Sequence, residues 1–164
     1  MSWTQTTATT SNPEAIDISG ELYNLVEQIE LERVRMGLTM YAIERLADRA
    51  KDSYRCMREY THKPLAENFI RFAFALGFKI EIVLDRGTPF IYESSNLGST
   101  VVSHIVASIE QKRKSIDCSM MTMERASGIA PRNWAKTVNG KFRPTLFKLL
   151  SIFHALGIEF RMYK

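Results

Sequence analysis

The order of apolar and polar residues predicts an amphipathic helix near the start of the chain, and the same pattern returns 80 residues later. Apolar residues at positions 22, 25, 26 and 29 have the i, i+3, i+4, i+7 spacing of one helix face. Positions 102, 105, 106 and 109 repeat that spacing. We therefore expect equivalent helices over residues 21–35 and 101–114.

Two short helices are predicted after each of these helices. Thr39 and Ser119 are expected to be N-caps, because a side-chain oxygen there can accept a hydrogen bond from a free N–H group of the next helix. In the second stretch, Gly128 ends that helix, Pro131 begins another and Gly140 ends it. Glu44 and Glu124, on the first of the short helices, are interpreted as exposed charges. The pattern predicts two helices separated by a tight turn.

A fourth helix and a strand close each stretch. The fourth helices are strongly apolar on one side and end at Gly77 and Gly157. Residues 79–84 and 159–164 then alternate β-branched or aromatic residues with charged ones, which is typical of a strand. After the first strand, a turn would bring residues 89–93 back as the second strand of a hairpin.

The two stretches align without a gap at an offset of 80 residues, which indicates an internal duplication. Over residues 25–84 the alignment contains 12 identities. They are Val26/Val106, Ile29/Ile109, Glu30/Glu110, Arg33/Arg113, Met40/Met120, Glu44/Glu124, Arg45/Arg125, Ala50/Ala130, Pro64/Pro144, Ala75/Ala155, Leu76/Leu156 and Gly77/Gly157.

The duplication predicts a mainly α protein with two four-helix units, over residues 19–93 and 101–164. Residues 94–100 are expected to be a linker, and the polar, Thr-rich residues 1–18 a disordered tail. A single strand is not stable alone, because its backbone groups need a partner. We therefore expect a small antiparallel sheet that joins the units into an internal pseudo-dimer. Strand pairing between two chains, which gives a homodimer, is the alternative.

The distribution of charge and the motifs that the sequence lacks limit the classes of function to consider. Residues 101–164 carry a net charge of +7 and residues 1–100 a net charge of −3, so the positive field belongs to the second unit. Cys56 and Cys118 have no neighbours at metal-ligand spacing, and the chain has no nucleophile elbow, phosphate loop or membrane-length apolar run. We expect no enzyme, no metal, no cofactor and no membrane contact, and a cytoplasmic location.

The second unit resembles the phage-repressor-like (Cro-like, xenobiotic-response-element) helix-turn-helix family. The residues that carry the resemblance are Ser119 and Met120, Met123 and Ser127, Gly128-Ile129, Trp134, Asn139-Gly140-Lys141, Arg143-Pro144-Thr145 and the sequence ALGI at 155–158. The resemblance implies two tandem λ-repressor-like units, each followed by an antitoxin-like strand. It also implies a recognition helix after Ala130 that lies in the major groove of DNA.

The resemblance implies a set of DNA contacts in the second unit. With Trp134 facing inward, the candidate base-reading residues are Arg132, Asn133, Lys136 and Pro131. The candidate phosphate contacts are Ser119, Met120, Lys141 and Arg143. Met120 stands where the family often has Gln.

The first unit departs further from the family. It has Asp48 where the family has a turn glycine, Arg49 in place of an inward apolar residue, and Tyr60 in place of the glycine after the third helix. With Tyr54 inward, its candidate DNA contacts are Thr39, Lys51, Asp52, Ser53, Arg55, Arg58 and Lys63.

The expected function is that of a sequence-specific regulator of transcription on double-stranded DNA, bound at an imperfect inverted repeat and associated with the nucleoid. A protein-interaction module is the alternative. In that case, the acidic first unit would bind a toxin or RNA polymerase, as an antitoxin or co-regulator does, and DNA binding would be secondary.

Overall fold

The computed structural model describes residues 18–59, 63–85 and 87–164, and over these residues the chain is mainly helical. The helices are α1 (Ile18–Arg35), α2 (Met40–Leu46), α3 (Ser53–Arg58), α4 (Ala66–Ala75), α5 (Gly98–Ser115), α6 (Met120–Ser127), α7 (Pro131–Val138) and α8 (Leu146–Leu156). The strands are β1 (Lys79–Val83), β2 (Phe90–Tyr92) and β3 (Glu159–Tyr163). We call α1 to β2 the first repeat and α5 to β3 the second repeat.

The predicted N-caps of α2 and α6 are confirmed. Thr39 Oγ1 accepts a hydrogen bond from the backbone N–H of Ala42, and Ser119 Oγ accepts one from Thr122, both at 3.0 Å. Gly128 ends α6 with a φ of 78°, a left-handed conformation that glycine adopts without steric cost. At the equivalent position Asp48 has a φ of 55°, which an aspartate tolerates better than most residues.

The first helix of each repeat begins three residues earlier than predicted. Helix α5 starts at Gly98, so residues 98–100 are helical and the predicted linker over 94–100 is too long. The sequence suggests a linker there because Gly98 is a poor helix former. In the structure Gly98 is buried, and a Cβ at its position would lie 2.8 Å from Arg71 Cγ, so the glycine allows α4 and α5 to approach closely. The predicted tail lies outside the described residues except for Ile18, which begins α1.

The predicted antiparallel sheet is confirmed, with the strand order β2-β1-β3. Strand β1 pairs with β3 of the same chain, and Glu81 lies opposite Arg161 at the centre of that pairing. Arg161 Nη1 donates a hydrogen bond of 2.9 Å to Glu81 Oε2. Since residues 81 and 161 are equivalent in the duplication, the strands pair symmetrically about this point.

A second symmetric contact joins the segments that precede α4 and α8. Leu65 and Thr145, also 80 residues apart, form an antiparallel bridge. The N–H of Ala66 donates to the carbonyl of Pro144 at 3.0 Å, and the N–H of Leu146 donates to the carbonyl of Pro64 at 2.9 Å. Such reciprocal contacts between equivalent residues are those of a two-fold dimer interface, here within one chain.

The two repeats share a single hydrophobic core. Helix α1 packs against α8 of the second repeat, and α4 packs against both α5 and α8. Polar contacts also cross between the repeats, because Lys164 Nζ binds Glu32 at 2.7 Å and the carbonyl of Leu76 at 2.6 Å. The largest fully buried side chains come from both repeats, namely Trp134, Tyr54, Phe69, Phe72 and Phe153 with seven aliphatic residues. In the part of the chain that the structure describes, no helix is both long and apolar enough to span a membrane.

Candidate nucleic-acid interface

Helix α7 is fixed in the fold by Trp134. The Trp134 side chain is 1% exposed, and its indole Nε1 donates a hydrogen bond of 2.7 Å to Glu110 Oε1 on α5. Pro131 occupies the first turn of α7, where its missing N–H costs no hydrogen bond. With Trp134 inward, Arg132 is exposed, and Pro131, Asn133 and Lys136 are half-buried.

The basic side chains on α7 and in the segment after it have no carboxylate partners among the described residues. Arg132, Lys141 and Arg143 are exposed, and Lys136 Nζ lies 4.9 Å from the centroid of the Phe142 ring. Within residues 18–59, 63–85 and 87–164, none of these four cations forms an ion pair. Cations without carboxylate partners can bind phosphate groups or base edges without first breaking an ion pair.

Residues Asn133 and Arg143 come together beside α8. They line a small depression together with Lys148, which is exposed in the first turn of α8. The sequence analysis missed Lys148; a basic residue in the first exposed turn of the predicted fourth helix was the available signal. The other predicted phosphate contacts lie at the start of α6, where Ser119 is exposed and Met120 is half-buried.

The cations on the third helix of the first repeat, α3, are already paired. Arg55 lies 3.5 Å from Asp52 and 3.1 Å from Glu59, and Arg58 lies 2.9 Å from Glu27 and 3.5 Å from Glu30. A contact of Arg58 with DNA therefore stays a prediction, and it would compete with the two carboxylates that α1 presents to Arg58. For Arg55, the exposed pairs compete with any phosphate contact.

The remaining candidates of the first repeat do not form one surface on α3. Lys51 and Asp52 are exposed but precede α3, and Ser53 Oγ donates a hydrogen bond of 2.6 Å to the carbonyl of Ala50. Lys63 is exposed, and its Nζ lies 3.8 Å from the centroid of the Phe147 ring in the second repeat. Thr39 is exposed at the start of α2. Tyr60 lies outside the described residues.

The same hydrogen bond holds α3 and α7 in place, and sequence reasoning missed it. In each repeat, a buried aromatic residue donates to a glutamate on the first helix. Tyr54 Oη donates a hydrogen bond of 2.8 Å to Glu30 Oε1, as Trp134 does to Glu110. Arg33 binds Glu30 through two hydrogen bonds, and its other donor reaches the carbonyl of Leu38, just before the N-cap of α2.

Arg113, the equivalent residue, binds Glu110 and donates to the carbonyl of Cys118 at 2.7 Å. The hydrogen bond from Arg113 lowers the pKa of Glu110, and the one from Arg33 lowers the pKa of Glu30. Both carboxylates therefore stay ionised near neutral pH. The identities at 30/110 and 33/113 were the signal for these contacts.

The prediction that Glu44 is an exposed charge is wrong. Glu44 is 4% exposed, and its Oε2 accepts a hydrogen bond of 2.9 Å from the backbone N–H of Tyr54. Asp52, the N-cap of α3, makes no side-chain cap and has a φ of 67°. Glu44 therefore satisfies a free N–H at the start of α3 that Asp52 leaves unpaired.

Comparison of the chain with protein-family models, with curated proteins and with solved structures gives no match. The binding properties of the surface around α7 are therefore inferred from its own residues. That surface presents an arginine and an asparagine, which can read base edges, beside three lysines and a second arginine that suit phosphate groups.

Proposed function

We propose that the chain is a sequence-specific regulator of transcription that binds double-stranded DNA as two tandem units of the phage-repressor-like helix-turn-helix family. In this proposal α7 is the recognition helix and lies in the major groove. The observation that carries the proposal is a set of cations without carboxylate partners, Arg132 and Lys136 on the side of α7 away from Trp134 and Lys141 and Arg143 in the segment that follows.

Each residue of the surface has a role in the proposal. Arg132 binds the O6 and N7 acceptors of a guanine, and Asn133 binds an adenine. Lys136 contacts the base edges or the adjacent backbone. Lys141, Arg143 and Lys148 hold phosphates, and the start of α6 at Ser119 contacts the backbone on the other side of the groove.

The two repeats are unequal readers of DNA. Since the cations of α3 are paired with Asp52, Glu59 and Glu27, the first repeat contributes less binding energy than the second. The symmetric contacts between the repeats favour an inverted repeat as the target, with one half-site well defined by α7 and the other degenerate.

Selection of bound fragments from a random pool of double-stranded DNA tests the proposal. The full chain should enrich one motif with a strong half-site, because Arg132 and Asn133 discriminate between bases. The affinity for that motif should fall steeply with salt, with a slope of about −0.9 in log K against log salt for each phosphate contact. A pool that shows no enrichment at low salt would refute the proposed function.

A second candidate function is supported by apolar residues on the surface of the first repeat. Leu31 is 67% exposed, and Val34 and Leu46 are each 59% exposed. Their equivalents in the second repeat are the more polar or smaller residues Gln111, Lys114 and Ala126. Exposed apolar residues at these positions favour a protein contact, such as RNA polymerase or a toxin, on the first repeat.

Substitution by the equivalent residues tests this second function. Leu31→Gln with Val34→Lys should abolish binding of a purified partner, because it removes the exposed apolar area. It should leave DNA binding within about twofold, because neither residue is among the proposed DNA contacts. The measurement is co-sedimentation of the full chain with purified RNA polymerase or a cognate toxin. Equal binding by the wild type and the double variant would argue against this surface.

A further inference from the structure

A cavity of about 280 Å³ lies beside the C-terminal end of α7. Its apolar walls are formed by Val102, Val106 and Ala107 of α5, by Val138 at the end of α7 and by Phe142 in the segment that follows. Ser103 and Arg143 add polar groups to the lining. The cavity therefore adjoins both the proposed recognition helix and one of its proposed phosphate contacts.

The equivalent positions of the first repeat carry larger side chains. Ala107 corresponds to Glu27, Val138 to Arg58 and Ser103 to Tyr23. In the first repeat the Glu27 and Arg58 side chains form an ion pair of 2.9 Å, which spans the space between α1 and α3. The second repeat has neither of these groups, so the space between α5 and α7 is open.

The charges that line the cavity favour an anion. Glu67 contributes to the lining, but its carboxylate lies 3.1 Å from Arg71 and 3.9 Å from Arg49, so its charge is balanced. Arg143 is exposed and has no ion pair within the described residues. A planar guanidinium binds a carboxylate through two parallel hydrogen bonds.

We infer that this cavity binds a small aromatic carboxylate. The aromatic ring packs among the valines, Ala107 and Phe142, and the carboxylate binds Arg143. A volume of about 280 Å³ is at the lower end of ligand pockets, which suits a molecule of one or two rings and excludes a nucleotide.

The regulatory consequence rests on the proposed function. Arg143 cannot hold a carboxylate and a DNA phosphate with the same donors, so the bound ligand removes one phosphate contact. It also replaces a cation next to the DNA by a neutral pair. The ligand therefore acts as an effector that weakens DNA binding.

Titration calorimetry on the full chain without DNA tests the site, with benzoate, indole-3-carboxylate and 2-naphthoate as probes. At least one should bind saturably, and its neutral amide should bind about tenfold more weakly, since the amide lacks the charge that Arg143 attracts. Ala107→Glu with Val138→Arg, which installs the ion pair of the first repeat, should abolish binding while the circular dichroism spectrum stays unchanged. Gln111→Glu, exposed on the same helix, is the matched control and should bind as the wild type does.

The contribution of Arg143 is isolated by a second variant. Arg143→Gln should weaken the carboxylate about tenfold and leave the amide unchanged. Absence of binding by all three acids, or equal binding by the wild type and the filled double variant, would overturn the site.

Because DNA is absent from these measurements, failure of the proposed DNA binding leaves their outcome unaffected. With the selected DNA motif present, saturating ligand should lower the affinity for DNA several-fold, and an unchanged affinity would overturn the regulatory consequence.

Discussion

Replacement of Arg132 and Lys136 by alanine is expected to lower the affinity for the selected DNA motif by about a hundredfold or more. One bidentate contact between an arginine and a guanine contributes about 1–3 kcal/mol, or about ten- to a hundredfold in affinity. Loss of the lysine adds a further decrease at low salt. Gel-shift titration of the full chain at fixed salt measures the effect. Replacement of Arg132 alone should relax the base preference at one position of the strong half-site.

The matched control for this variant is Arg55→Ala in the first repeat. Arg55 is exposed on α3 as Arg132 is on α7, but it is paired with Asp52 and Glu59. We expect its removal to change the affinity by less than about threefold, because its contact with DNA competes with these pairs. Both variants should unfold at the wild-type denaturant concentration, since surface substitutions rarely change stability by more than about 0.5 kcal/mol. Equal losses from the two variants would show that the repeats read DNA equally.

The substitution Tyr54→Ala in the first repeat is expected to shift the unfolding of the second repeat. Tyr54 is fully buried, it packs edge-to-face on Phe72 at 5.1 Å, and it donates a hydrogen bond to Glu30. Truncation of a buried aromatic residue costs about 3–5 kcal/mol, a large part of the 5–15 kcal/mol that stabilises a typical domain. Because α1 and α4 pack against helices of the second repeat, this loss should destabilise the whole chain.

Fluorescence of Trp134 measures this effect from the other repeat. Trp134 is 1% exposed and becomes hydrated on unfolding, so its emission follows the second repeat in a background where Trp3 is replaced by phenylalanine. Urea unfolding followed by this emission should move to lower urea concentrations together with the transition seen by circular dichroism. Tyr41→Ala, at a residue that is 62% exposed, is the control and should move neither. A Trp134 transition that stays in place would mean that the repeats unfold independently.

The features that follow from local chemistry could be predicted from the sequence. Thr39 and Ser119 cap the helices that follow them, because a hydroxyl at that position accepts a hydrogen bond from a backbone group only three residues away. The alternating strands and the phase of Trp134 depend on equally short spacings. The sequence does not decide whether β1 pairs with β3 of the same chain or of another chain, because periodicity indicates which face of a strand is buried but not which strand is its partner.

The features that depend on distant partners could not be predicted. Arg58 has the sequence context of a basic residue on a solvent-facing helix, and its partner Glu27 lies 31 residues away on α1. Glu44 is buried and accepts a hydrogen bond from the N–H of Tyr54, ten residues away, at the start of a helix whose N-cap residue Asp52 makes no side-chain cap. Gly98 suggests a linker from its sequence alone, but in the structure it lies within a helix and packs closely against Arg71 of α4. In each case the deciding contact is between two elements whose arrangement the local pattern does not specify.

The pair Glu81 and Arg161 has a consequence for how the chain responds to its own concentration. These equivalent residues face each other and carry opposite charges, so pairing of β1 with β1, or of β3 with β3, between two chains would place Glu81 against Glu81 or Arg161 against Arg161. Like charges directly opposite each other destabilise a strand pair. Two separate subunits part on dilution, whereas two halves of one polypeptide keep a fixed one-to-one stoichiometry. Under the proposed function, one chain therefore carries both DNA-binding units, and its occupancy of the DNA target is expected to rise in proportion to its concentration, without the threshold that association of two subunits imposes.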